Sequence, residues 1–170
     1  PESGLADFFF IDTTPVYDGT KGVLTAFTPL ESFVVEQFVW LERELSASRA
    51  DWKIVVGHHP VFSGGMHGAS WGLIRYLKPM LEEHGVRIYL NGHDHDLQHI
   101  AVDGVHYLTS GAGSEPHTTD AASGSLFSHG ALGFMAADTN WARQYRKHGF
   151  NMIATGTDQG ILMAGIRSVL

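Results

Sequence analysis

The chain has 170 residues, 44% of them hydrophobic and 17% charged, which is the make-up of one packed domain of ordinary size and excludes a disordered chain. A net charge of −7 and no basic run longer than Arg143–Lys147 argue against nucleic acid as a partner, although a bound cation would still let an acidic body accept phosphate esters. There is no cysteine, so disulfides and thiolate metal sites are excluded, and no apolar run reaches the ~18–20 residues that cross a bilayer, so no membrane partner is expected.

In chain order, Phe8-Phe9-Phe10-Ile11-Asp12 reads as a short buried strand closed by an acid. Asp18-Gly19 and Lys21-Gly22 mark a loop. Thr28-Pro29-Leu30-Glu31 has the form of a helix start: Thr28 as cap, Pro29 in the first helical position, Glu31 three residues after the cap. Val34, Phe38, Leu41 and Leu45 then recur at helical spacing, and Ser46 to Asp51 closes the helix. Trp52 to Val56 is the next strand. A glycine-rich loop, Ser63 to Gly68, leads to a second helix from near Ser70, carrying Leu73, Ile74, Leu77 and Leu81 and stopping at His84-Gly85. Val86 to Leu90 is a third strand. Strand, helix, strand, helix, strand implies parallel segments with right-handed crossovers.

Beyond Leu90 the pattern changes. Leu97–Val102 and Val105–Leu108 form a hairpin turning at Asp103-Gly104. Ser110-Gly111-Ala112-Gly113 is a loop, a polar stretch runs to about Gly130, and Leu132 to Ala137 is a last strand. After Trp141 the pattern is weak, and Ile161 to Ile166 fits strand, helix or tail equally. No repeat or internal boundary divides residues 1–170, which read as a single domain.

The chemistry gathers where two of these strands end. Val55-Val56-Gly57-His58-His59-Pro60 and Leu90-Asn91-Gly92-His93-Asp94-His95 both bring histidines to a loop just past a buried strand, as a parallel sheet delivers ligands to its carboxyl edge. Neutral imidazole binds zinc, iron and similar ions. His93 and His95, two residues apart in an extended segment, share a side, and Gly92 permits the turn that aims them at the sheet's rim. A His-x-His alone would be weak evidence; three histidines, His58, His93 and His95, at two strand ends are stronger. Alternation points His59 away from His58, toward a structural or supporting role. His67 lies in the glycine-flanked loop that can overhang the site, where a histidine can act as an acid. Asn91, Asp94 and Asp96 are turn residues that could also orient ligands. No spacing selects His84, His99, His106, His117, His129 or His148.

These segments resemble the purple acid phosphatase branch, including its tartrate-resistant members, of the calcineurin-like metallophosphoesterases. The resemblance is carried by Phe9 to Thr13, by Trp52 to Ser63 with Gly57-His58-His59-Pro60-Val61-Phe62-Ser63, by His67-Gly68, by Asn91 to Gln98 and by Leu108 to Gly113, and it spans about residues 5–138. It implies an α/β fold of four layers, two β-sheets face to face with helices outside, and a dinuclear centre of ferric iron beside iron, zinc or manganese. On this resemblance His58 and His93 match ligands of the divalent ion, His95 matches a ferric ligand, and His67 matches the loop histidine that binds phosphate or protonates the leaving group. Asn91 and His59 fall where the family varies and receive no role.

The departures are as informative. The family's aspartate, tyrosine and asparagine ligands come from motifs upstream, and nothing before Phe8 holds them; Asp7, Asp12 and Tyr17 do not sit in such motifs. The chain begins at Pro1 with no legible leader, so it is expected to be the C-terminal part of a metallophosphoesterase domain, with an incomplete ligand set and the N-terminal half of the same domain as its missing partner. Residues 141–170 depart from the family's closing strands, as a divergent tail or an altered reading frame would. The compartment is not legible, and secretion is an expectation by family analogy alone. The function implied is hydrolysis of phosphate monoesters by metal-activated water or hydroxide, with little activity from the chain alone. The alternatives are a non-catalytic metal-binding or interaction module and a phosphodiesterase of the same superfamily.

Overall fold

The computed structural model describes residues 4–17, 31–112, 116–130, 133–136 and 152–155. In chain order the elements are β1 (Ala6–Phe10), α1 (Ser32–Ala47), β2 (Trp52–Val56), α2 (Trp71–Tyr76), α3 (Lys78–Glu83) and β3 (Ile88–Asn91). They continue with β4 (Leu97–Val102), β5 (Val105–Ser110), β6 (Ser125–His129), β7 (Gly133–Ala136) and β8 (Met152–Thr155). The principal sheet has the strand order β1-β2-β3-β5-β4-β6. Its first four strands are parallel; β4 runs antiparallel to both β5 and β6. Strands β7 and β8 pair in parallel as a separate two-stranded ladder.

Register explains the core. Phe9, Val55, Tyr89, Tyr107 and Ile100 stand on neighbouring rungs across five strands. All five are buried, and they form one cluster with Val34, Phe38, Leu41 and Leu45 of α1 and with Leu73, Leu77 and Leu81 of the second helical region. Period-2 burial on the sheet thus meets period-3.6 burial on the helices, as the sequence pattern requires. The opposite face is open: the next row, Phe10, Val56, Leu90, Leu108, His99 and Phe127, contains no buried residue, and Phe10 remains 69% exposed.

Several boundaries differ from the sequence reading. Helix α1 begins at Ser32, with Glu31 extended in the capping position (φ −66°, ψ 153°) and making no side-chain cap bond. Thr28 and Pro29, expected to open that helix, lie outside the described residues. The single second helix is two short ones, meeting at Leu77. Pro79 accounts for the break, because it has no N–H to return to the helix and its ring crowds the carbonyl four residues back. Ser70 caps α2, accepting from the Leu73 N–H at 3.3 Å, and Gly85 ends α3 in the left-handed region at φ 65°, while Val86 N–H bonds back to the Leu81 carbonyl at 2.9 Å. The hairpin turns where expected, with positive φ at both Asp103 (50°) and Gly104 (84°). Strand β6 replaces part of the expected polar loop, and β8 lies where no element was read. Ile161 to Ile166 and Arg143–Lys147 lie outside the described residues. Among the described residues no helix is long and apolar enough to cross a membrane.

Candidate metal centre

The parallel ladder does not stop where the strands formally end. Ile11 N–H bonds to the Val56 carbonyl, Gly57 N–H to that of Leu90, and Gly92 N–H to that of His58, each at 3.0 Å. Those bonds carry the register past the sheet's carboxyl edge and set His58 beside the Gly92–His93 segment. A third loop joins from β1: Val16 and Tyr17 N–H groups both fold back onto the Thr13 carbonyl, at 3.1 and 2.9 Å, which brings Tyr17 over the same edge. Three neighbouring strand ends therefore furnish the site, as open parallel sheets do.

The turn that aims His93 is not made by Gly92, as the sequence suggested. His93 itself lies in the left-handed region at φ 64°, and the Asp94 N–H closes onto the Gly92 carbonyl at 2.8 Å, so His93 is the central residue of a three-residue turn. A non-glycine residue in that region is strained, and such residues gather at functional sites.

The imidazoles converge. His93 Nδ1 is 3.2 Å from His58 Nε2, and one ligand atom from each of His58, His59 and His93 lies within 4.8 Å of the others. The His67 ring centre is 4.3 Å from that of His93. Tyr17 stacks on His59 at 3.9 Å, with 12° between the rings, and its hydroxyl is 3.2 Å from His93 Nε2. Burial, and then the nearby His93 and His58, pushes the His59 imidazole down from 6.5 to about 4. His93 is also pushed down, by burial first and then by His67 and His58. Both shifts favour the neutral ring, the form whose nitrogen offers a lone pair to a cation.

Beneath the histidines lies a buried polar latch. Ser63, Asp94, Asp96 and Gln98 are each under a tenth exposed. Ser63 donates its hydroxyl proton to Asp94 Oδ2, while Ser63 Oγ accepts from Gly65 N–H at 2.9 Å and from Gln98 Nε2 at 2.7 Å. Gln98 Nε2 also reaches both Asp96 oxygens at 2.9 Å, and Gln98 Oε1 accepts from Gly64 N–H at 2.8 Å. Asp94 Oδ1 accepts the His67 N–H at 3.0 Å. The loop carrying His67 is thereby pinned to the segment carrying His93 and His95. Burial is the main cause of the raised Asp96 pKa.

Of the residues singled out in sequence, His58, His93 and His67 meet in one cluster. His95 lies beside it: its ring stacks on His117 at 4.8 Å, its carbonyl accepts the His117 N–H at 2.8 Å, and its charge acts on His93. Two further members join the cluster: His59, which strand alternation reads as structural or supporting, and Tyr17, which no motif marks. No carboxylate joins the described cluster. The donor set there, imidazoles with Nε2 of His58 facing Nδ1 of His93, fits a single borderline-soft cation such as zinc, and His95 is not part of that group.

Residues 5–97 match the model of the calcineurin-like phosphoesterase family. Purple acid phosphatase 7 of Arabidopsis thaliana is 42% identical over 126 residues, a match that covers 66% of this chain and 37% of that protein. The chain thus spans about a third of the length of this relative. Among solved structures, GAP50, the anchor in the inner membrane complex of Plasmodium, superposes with a TM-score of 0.62 at 31% identity, over 75% of this chain and 39% of that one. Purple acid phosphatase PPD1 from yellow lupin (Lupinus luteus) seeds superposes with a TM-score of 0.58 at 16% identity, over 76% of this chain and 26% of that one, which speaks to the fold alone.

Proposed function

We propose that this chain, which belongs to the calcineurin-like phosphoesterase family, is the histidine-bearing part of an acid phosphatase that hydrolyses phosphoric monoesters at a dinuclear metal centre. His58 and His93 would hold a divalent ion (iron, zinc or manganese), and His95 a ferric ion next to it. When bound, such a pair supplies charge stabilisation at the phosphoryl oxygens and an acidic water or hydroxide for in-line attack. The supporting observation is convergence: His58 and His93, from adjacent strand ends, offer nitrogens within 4.8 Å of each other and of one from His59.

This chain's own residues do the rest. His67 overhangs His93 on a loop held by the Asp94 carboxylate, where its ring would give a proton to the ester oxygen as the P–O bond breaks. Tyr17 and the buried latch keep the rings in place and limit water on the sheet side. We assign the open face of the principal sheet to the remaining part of the same domain, which brings the missing carboxylate ligands.

The test uses the chain joined to that part. His93→Ala should lose metal and aryl phosphatase activity together. His67→Ala should slow an alkyl phosphate by about 10²–10⁴ and p-nitrophenyl phosphate less, because the nitrophenolate leaves without help. Full metal content and full rate in His93→Ala would refute the assignment. The 170-residue chain alone should turn over little or no substrate.

A second reading, a non-catalytic metal-binding or interaction module, is favoured by one observation: the structural neighbour at 31% identity is described as an anchor. Zinc retained without turnover of any phosphate ester in the joined protein decides for it, whereas faster turnover of a diester than of a monoester decides for a phosphodiesterase.

A further inference from the structure

The third imidazole in the cluster, His59, is one that the strand pattern reads as structural or supporting and to which the family resemblance gives no role. His59 is 6% exposed, and its Nδ1 lies 2.9 Å from Thr13 Oγ1. Thr13 is itself buried, and the same oxygen accepts the His59 backbone N–H at 3.0 Å. A hydroxyl oxygen has two lone pairs, so Thr13 is able to accept both N–H groups of His59 at once. With the proton on Nδ1, that arrangement leaves Nε2 with a lone pair free for a cation. Tyr17 does the same for His93. Its hydroxyl oxygen, 3.2 Å from Nε2, is placed to accept a proton there, and in that tautomer Nδ1, facing His58 Nε2, keeps its lone pair. Tyr17 also covers the face of His59 at 3.9 Å and so holds both rings.

Metal-ligating histidines characteristically donate their second ring N–H to a fixed acceptor, which sets the tautomer and the ring's direction. Two rings here have that acceptor before any metal arrives. The spacing of one pair agrees: nitrogens bound at ~2.0–2.1 Å to a tetrahedral cation lie about 3.3 Å apart, His58 Nε2 and His93 Nδ1 are 3.2 Å apart, and a His59 nitrogen lies within 4.8 Å of ligand atoms of both. From these contacts we infer that His59 is a ligand, completing with His58 and His93 a three-imidazole site for one divalent first-row cation, with Thr13 and Tyr17 as its positioning residues.

The inference rests on the reading of this cluster as a metal site, and the experiment separates the two. Zinc is titrated into the 170-residue chain at pH 7.5, followed by calorimetry and by long-range proton–nitrogen NMR of the imidazoles. One zinc should bind, shifting the His59 Nε2, His58 Nε2 and His93 Nδ1 resonances and leaving those of His95 in place. Thr13→Val and Tyr17→Phe should each weaken zinc about 10–100-fold, His59→Gln at least as much, and His95→Gln by less than about threefold. Because the resonances are read on the unsubstituted chain, a variant that fails to fold does not blunt the test. Zinc bound with the His59 resonances unmoved, or His59→Gln titrating like the parent, overturns this inference and leaves the metal centre standing. No zinc binding at millimolar concentration overturns both.

Discussion

Asp94→Ala should unfold the site from below. The carboxylate is 1% exposed and accepts from the Ser63 hydroxyl and, at 3.0 Å, from the His67 backbone N–H. Ser63 Oγ accepts from Gly65 N–H and Gln98 Nε2 and gives its one proton to Asp94. Alanine therefore strands two donors, one fully and one partly buried. At ~1–3 kcal/mol for each unsatisfied buried group the cost is about 2–5 kcal/mol. With a urea dependence of ~2 kcal/mol per molar, the unfolding midpoint should fall by about 1–2.5 M. Asp94→Asn should cost nearly as much, since its amide N–H₂ would face an oxygen with no lone pair left. Urea unfolding of the metal-free chain, followed by circular dichroism, measures the midpoint. Amide hydrogen exchange at Gly64, Gly65 and His67 should quicken in the same variants. A midpoint shift under about 0.3 M, with exchange unchanged, would refute the account of the latch.

Two further outcomes follow from other contacts. A Cβ at Gly57 would lie 2.4 Å from the Tyr89 hydroxyl oxygen and 2.7 Å from Thr13 Cγ2, and that hydroxyl donates to the His59 carbonyl at 2.7 Å. Gly57→Ala should accordingly cost about 1–3 kcal/mol and weaken zinc binding through displaced histidines; an unchanged thermal midpoint and zinc affinity would contradict this. Acid should destabilise the metal-free chain well before its carboxylates titrate. Burial lowers the folded pKa of His59, His93 and His99 below the ordinary 6.5. As pH falls below 6.5 the unfolded chain takes up protons that the folded rings refuse. The stability these three contribute is thus complete above 6.5 and declines toward pH 4. Urea midpoints at pH 7.5 and 5.0 check the sign, and a midpoint that rises on acidification refutes it.

Much of the scaffold was legible because it rests on local periodicity. Val34, Phe38, Leu41 and Leu45 announced the buried face of α1, and Asp103-Gly104 announced the hairpin, since each signal lies within one element. His58 and His93 were legible through the apolar strands before them. His59 was misdirected by strand alternation, which holds only while the chain is a strand; β2 ends at Val56, and beyond it no period governs where a ring points. Tyr17 gave no signal because its placement depends on a loop folding onto Thr13 and on a histidine 76 positions away. Strand β6 was missed for a similar reason. Leu126 and Phe127 are 64% and 49% exposed, so no apolar alternation marks the segment, and only pairing with β4 makes it a strand.

The left-handed turn at His93 bears on any attempt to make this protein hardier. A residue with a Cβ gives up about 1–2 kcal/mol in that conformation, and glycine gives up almost none. A screen that rewarded thermal endurance alone would drift toward glycine at position 93 and discard the imidazole that the cluster is built around. Here robustness and usefulness pull one residue in opposite directions, and the side chain that stays is the one that weakens its own backbone.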